Sequence, residues 1–127
     1  MANRILLVED EQSLLDLLDR YLTRSGYAVK TAPSGESALE LLNIPDTGIT
    51  MVDLAIIDLT LPDGMTGVDL LGKVREAGFG FPVLLYSGYP FTVETLAPAL
   101  QANVWFLQKP FAPRVLSEMV TKILGPA

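Results

Sequence analysis

Polar residues that end short apolar runs mark where this chain could do chemistry. Glu9 and Asp10 follow Ile5–Val8, Asp58 follows Leu54–Ile57, Ser87 follows Val83–Tyr86, and Lys109 comes just after Val104–Leu107. In a parallel sheet the carboxyl ends of the strands gather on one rim, and open α/β sheets place their ligands there. Three carboxylates, one hydroxyl and one ammonium on such a rim suit a divalent cation together with a phosphoryl group. Taken singly, each acid has a plainer reading. Glu9 and Asp10 would favour the N-terminus of a following helix by ~0.3–1 kcal/mol, and Asp58 would serve as a strand-ending turn residue. Taken together, three acids on one rim repel one another, and a cation removes that cost. Mg²⁺ (or Mn²⁺) suits the position, because a hard ion of this kind keeps several waters and takes few protein oxygens.

The elements that must carry these residues alternate strand and helix. Ile5–Val8 is a short apolar run bounded by charge, as in a strand buried on both faces. Leu14, Leu15, Leu18 and Leu22 recur at helical spacing, and Gly26 supplies a stop. Ala28–Thr31 reads as a second strand, and Ser34 as a cap for a helix over Glu36–Leu42. Residues 43–53 form a fairly long connection before the third strand, Leu54–Asp58, and the third helix, Val68–Ala77, ends at Gly78. Val83–Tyr86 and Val104–Leu107 are strands four and five. A fourth helix is expected from about Thr92 to Gln101, kinked or shortened by Pro98, and Pro113–Leu124 closes the fold. Strict β/α alternation predicts a parallel sheet with right-handed crossovers. The fold class is doubly wound α/β.

Composition narrows the function. The chain has 127 residues, about one domain's worth, half of them apolar and 19% charged, which is globular rather than disordered. A net charge of −6 argues against nucleic-acid binding through this chain, since phosphate backbones demand clustered Lys and Arg. Without cysteine or histidine, thiol chemistry, thiolate and imidazole metal sites and an internal phosphohistidine are all excluded. The N-terminus resembles neither a signal peptide nor a membrane span. A cytoplasmic protein that does not contact membrane is the expectation.

Four segments carry a family resemblance: Ile-Leu-Leu-Val-Glu-Asp-Glu at 5–11, Ile-Ile-Asp-Leu-Thr-Leu-Pro-Asp at 56–63, Leu-Tyr-Ser-Gly-Tyr at 85–89 and Phe-Leu-Gln-Lys-Pro-Phe at 106–111. In order and spacing they resemble the response-regulator receiver domains of two-component signalling, across the whole chain. The resemblance implies a flavodoxin-like five-stranded parallel sheet of order 2-1-3-4-5 as a single receiver domain over 1–127. It implies that Asp58 is the phosphoacceptor, with Glu9, Asp10, Asp58 and the backbone carbonyl of Thr60 around the metal. Lys109 and Ser87 would bind the phosphoryl oxygens, Gly88 would leave room for the donor, and Lys109–Pro110 would be a cis peptide. Ser87 and Phe106 would form the switch pair, whose plainer alternative for Phe106 is core packing.

The chain also departs from the family pattern. Pro62 to Gly67 is one residue longer than the common spacing, a loop similar to those of receivers attached to hybrid sensor kinases. Position 105 is Trp, and six of the ten aromatics fall within residues 86–111. Trp105, Phe91 and Tyr89 are therefore the candidate output face, with Trp105 and Phe91 expected in an exposed apolar patch. Tyr89 is placed to hinder a hydrolytic water, so slow loss of the phosphoryl group is expected.

The implied function is a receiver that takes a phosphoryl group from a partner phosphohistidine, on a histidine kinase or a histidine phosphotransfer protein. It would signal to a downstream protein through the face made by helix four, strand five and helix five, a face that also allows a homodimer. Such a chain catalyses only its own phosphorylation and dephosphorylation and is not otherwise an enzyme. The sequence ends at Gly125-Pro126-Ala127 without an output domain, as in a stand-alone receiver, a phosphorelay intermediate or an excised receiver. The alternative is a receiver-like interaction module working without phosphorylation. A flavodoxin-like cofactor binder fits poorly, because Glu9-Asp10-Glu11 would repel a phosphate after strand one.

Overall fold

A computed structural model describes residues 3–43, 52–61 and 64–125 of the chain. Five parallel strands pair in the order β2-β1-β3-β4-β5. They are β1 (Arg4–Val8), β2 (Ala28–Ala32), β3 (Leu54–Asp58), β4 (Val83–Ser87) and β5 (Val104–Gln108). The helices are α1 (Gln12–Arg24), α2 (Gly35–Asn43), α3 (Gly67–Glu76) and α4 (Pro113–Leu124). β3 and β4 are buried along their whole length, as the unbroken apolar runs require.

The period of two along each strand divides the core. Leu6, Val8, Ala55, Ile57, Val83 and Leu85 face one side and pack with Ala38 of α2 and Leu70 of α3. Ile5, Leu7, Leu54, Ile56, Leu84 and Tyr86 face the other, against Leu15, Leu18 and Leu22 of α1 and Leu116 and Val120 of α4. Burying one such leucine contributes about 1.5–3 kcal/mol. The apolar stripes of α1 and α4 therefore hold these helices to the sheet.

Local signals set the ends. Ser34 Oγ accepts from the Ser37 N–H at 3.1 Å, capping α2 as expected. Thr66 and Asp69 form a reciprocal capping box at the start of α3. Gly26 and Gly78, both at positive φ, turn the chain after α1 and α3.

The fourth helix expected over Thr92–Gln101 does not form. The segment holds two single 3₁₀ turns, Val93–Thr95 and Pro98–Leu100. Leu96 and Ala97 between them are extended, with ψ of 154° and 141°. The cause is local: Pro98 disfavours helical backbone at Ala97, so Pro98 begins a new turn instead of kinking an old one. Leu96 is buried and anchors the segment to the α2–α3 side of the core. Gln101 Nε2 donates to the Leu96 carbonyl at 2.9 Å. The output face read from the sequence is thus β5 flanked by α4 and by this non-helical segment. Most of the 43–53 connection (residues 44–51), with Pro62 and Asp63 of the lengthened loop, lies outside the described residues.

Candidate functional site

Strand register explains how distant residues meet. Asp58 and Tyr86 are direct partners on β3 and β4. Counting by two from the α1–α4 side of the core, Leu7 leads to Glu9, Ile56 to Asp58, and Leu107 to Lys109. The parallel sheet thus delivers two acids and an amine to one rim on one face. Asp10 follows at the exposed mouth. Carboxylate oxygens of Glu9, Asp10 and Asp58 all lie within 4.8 Å of one another.

Glu9 and Asp58 are almost fully buried, a placement that demands partners. Lys109 Nζ lies 3.2 Å from Asp58 Oδ2 and 3.3 Å from Glu9 Oε1. Asp58 Oδ1 accepts from the Thr60 N–H at 2.9 Å and from the Thr60 hydroxyl at 3.0 Å. Glu9 Oε2 accepts from the Glu11 N–H at 2.9 Å. Burial alone would lower the Lys109 pKa; the charges of Asp58 and Glu9 outweigh it and hold the ammonium above its ordinary value. The Lys109–Pro110 peptide is cis.

The donor set fits a divalent cation. Three carboxylates face one ammonium, so two negative charges remain (three minus one). All the donors are oxygens, the preference of Mg²⁺. Asp10 has no hydrogen bond or ion pair among the described residues and is free to serve as a ligand.

Ser87 and Phe106 lie on the opposite face of their strands. Ser87 is buried, and its Oγ accepts from the Tyr89 N–H at 3.0 Å. Phe106, the register partner of Leu85, is half-buried with its ring 5.4 Å from that of Phe91. Gly88 is exposed, and a Cβ there would meet nothing within 4 Å. Trp105 and Phe91 are half-buried against the core and do not form an open patch; the exposed aromatic is Tyr89, at 72%.

Gly67 closes the floor beneath Asp58. A Cβ there would stand 2.5 Å from the Asp58 carbonyl oxygen and 2.7 Å from Leu59 Cα. Tyr86 was not singled out from the sequence. Its hydroxyl donates to Glu9 Oε1 at 2.6 Å, and its ring lies under Lys109 Nζ, 4.8 Å from the centroid. Burial, reinforced by the Glu9 hydrogen bond, pushes the phenol pKa far up, so it stays a donor. A signal was present: a tyrosine in a buried aliphatic strand needs a polar partner.

Residues 5–121 match the model of the response regulator receiver domain. The chain belongs to that family. As a receiver it is a two-component signalling module, and its relatives agree. It is 32% identical over 124 residues to the alkaline phosphatase synthesis transcriptional regulatory protein PhoP of Bacillus subtilis, covering 98% of this chain and 49% of PhoP. The receiver thus spans about half the length of that curated relative. Its fold is similar to a CheY-like receiver domain protein of Methanospirillum hungatei, at TM-score 0.83 and 28% identity, covering 98% and 94% of the two chains. It is also similar to the response regulator TrrA of Thermotoga maritima in complex with Mg²⁺–BeF, at TM-score 0.77 and 30% identity, covering 96% and 99%. No helix among the described residues is long and apolar enough to cross a membrane.

Proposed function

We propose that this receiver accepts a phosphoryl group on Asp58 from the phosphohistidine of a histidine kinase or histidine phosphotransfer protein. The observation that carries the reading is the shared ammonium: Lys109 bridges the buried Asp58 and Glu9 at 3.2 and 3.3 Å beside an uncompensated Asp10. An Asp58 oxygen attacks phosphorus and forms an acyl phosphate, while the P–N bond breaks and its electron pair stays on the partner's imidazole. The residues position the groups and neutralise charge, which is the protein's main task in phosphoryl transfer. Lys109 moves from the Asp58 carboxylate to a phosphoryl oxygen, and the Ser87 hydroxyl donates to another. Glu9, Asp10, Asp58 and the Thr60 carbonyl would hold Mg²⁺, which would supply positive charge against the remaining negative charge of the site and the phosphoryl group.

The donor has a place to dock. Leu14, Leu17, Leu18, Pro110, Phe111 and Pro113 line an apolar groove of about 200 Å³ beside Lys109. Leu17, 48% exposed, gives a partner helix apolar surface next to the site. The signal leaves on the other face: Ser87, drawn toward the phosphoryl group, makes space into which Phe106 turns, repacking Phe91 and the 3₁₀ segment. A local charge change thereby biases a two-state element read by a downstream protein.

Fluorescence of Trp105, the single tryptophan, tests the reading. Wild type should respond to Mg²⁺ and then to beryllofluoride, and Asp58→Asn should lose the second response. A beryllofluoride response that persists in Asp58→Asn would refute it.

A further inference from the structure

Tyr86 is fully buried in an otherwise aliphatic stretch of β4 and is the register partner of Asp58. Its ring meets Phe111 edge-on, with centroids 5.9 Å apart and planes at 82°, which fixes where the hydroxyl points. That hydroxyl and Lys109 Nζ converge on the same oxygen, Glu9 Oε1, at 2.6 and 3.3 Å. Lys109 is meanwhile shared with Asp58 Oδ2. The two acids compete for one ammonium, and the phenol meets part of Glu9's demand. Without it, Oε1 of a buried carboxylate would keep a single donor among the described residues. An under-satisfied buried acceptor is costly, and that cost favours Lys109 leaving Asp58 for Glu9 and Glu9 shifting with it out of the cluster.

We propose that Tyr86 is a positioning residue of the acid cluster: its hydroxyl holds Glu9 in place and keeps Lys109 shared with Asp58. This rests on the reading of Glu9, Asp10 and Asp58 as a divalent-cation site. The phenol needs no contact with cation or phosphoryl group to act.

Mn²⁺ binding without any phosphodonor, followed by electron paramagnetic resonance, tests the role in a double-mutant cycle. Wild type, Tyr86→Phe, Glu9→Gln and the double variant are titrated. Tyr86→Phe should raise the Mn²⁺ Kd about fivefold in the wild-type background, and less than about twofold beside Glu9→Gln. A Tyr86→Phe Kd within about twofold of wild type, or an equal loss in both backgrounds, would overturn the role. Tyr86→Phe keeps the ring and its Phe111 contact; Tyr86→Leu, judged by the same criteria, replaces it if circular dichroism shows a folding defect. Wild type that binds no Mn²⁺ would instead overturn the proposed function.

Discussion

Lys109 and Asp58, 51 residues apart in sequence, lie 3.2 Å apart on the rim of the sheet. Lys109 is the only cation within salt-bridge reach of Asp58 or Glu9 among the described residues. Replacing it with methionine leaves both buried acids without a counter-ion in metal-free protein, at a cost below the about 3–5 kcal/mol of a fully buried pair because Lys109 is one-quarter exposed. The same change removes a positive charge that competes with a divalent ion, so Lys109→Met should bind Mg²⁺ more tightly while accepting no phosphoryl group. Urea denaturation with and without Mg²⁺ checks the stability cost and the metal affinity: Mg²⁺ should stabilise the variant more than wild type.

Stability should fall at alkaline pH. Tyr86 is held above its ordinary 10.0, chiefly by burial. Lys109 is held above its ordinary 10.5, because Asp58 and Glu9 outweigh the opposing effect of burial. Above those ordinary values the native state keeps protons that the unfolded chain has released, so stability declines as pH rises. It is fully present below them. Denaturation midpoints from about pH 8 to about pH 11 should show the decline, and Tyr86→Phe should flatten it.

Gly67→Ala should disturb the site from beneath. Its Cβ would collide with the Asp58 carbonyl and Leu59 Cα, both backbone atoms that cannot rotate away. Overpacking of this kind costs about 1–3 kcal/mol, and the forced shift moves the Asp58–Thr60 turn. Thermal melts should show the loss, and Mg²⁺ affinity should drop with it. An equivalent change at Gly72, where a Cβ meets nothing within 4 Å, should leave Mg²⁺ affinity alone.

On the proposed function, the role of Tyr89, exposed beside Ser87, is to screen a phosphorylated Asp58 from water. Tyr89→Ala should shorten the phosphoryl lifetime several-fold, on the order of 2–5-fold by steric relief worth roughly 0.4–1 kcal/mol. Decay of the phosphorylated form after removal of the donor measures it; an unchanged lifetime would count against the shielding role.

Much of this arrangement was legible in the sequence because strand ends carry it. Glu9, Asp58 and Lys109 each follow an apolar run, and a parallel sheet has no way to scatter such positions. The segment 92–101 misled because strict β/α alternation calls for a helix between strands four and five, while the decisive influence, Pro98 acting on Ala97, is a single backbone restriction. Tyr86 was hidden for a different reason. Its chemistry depends on which strand lies beside it, and pairing with Asp58 is a tertiary fact. The half-burial of Trp105 and Phe91 likewise follows from α4 and the 3₁₀ segment, whose packing no local pattern displays.

The central claim is that Asp58 carries the phosphoryl group. Incubation with acetyl phosphate and Mg²⁺, followed by peptide mapping of the acyl phosphate after borohydride reduction, tests it most directly. The expected result is Mg²⁺-dependent modification at Asp58 alone, abolished in Asp58→Asn and by chelation of the metal. Modification at another residue, or none at Asp58 when Mg²⁺ is saturating, would contradict it.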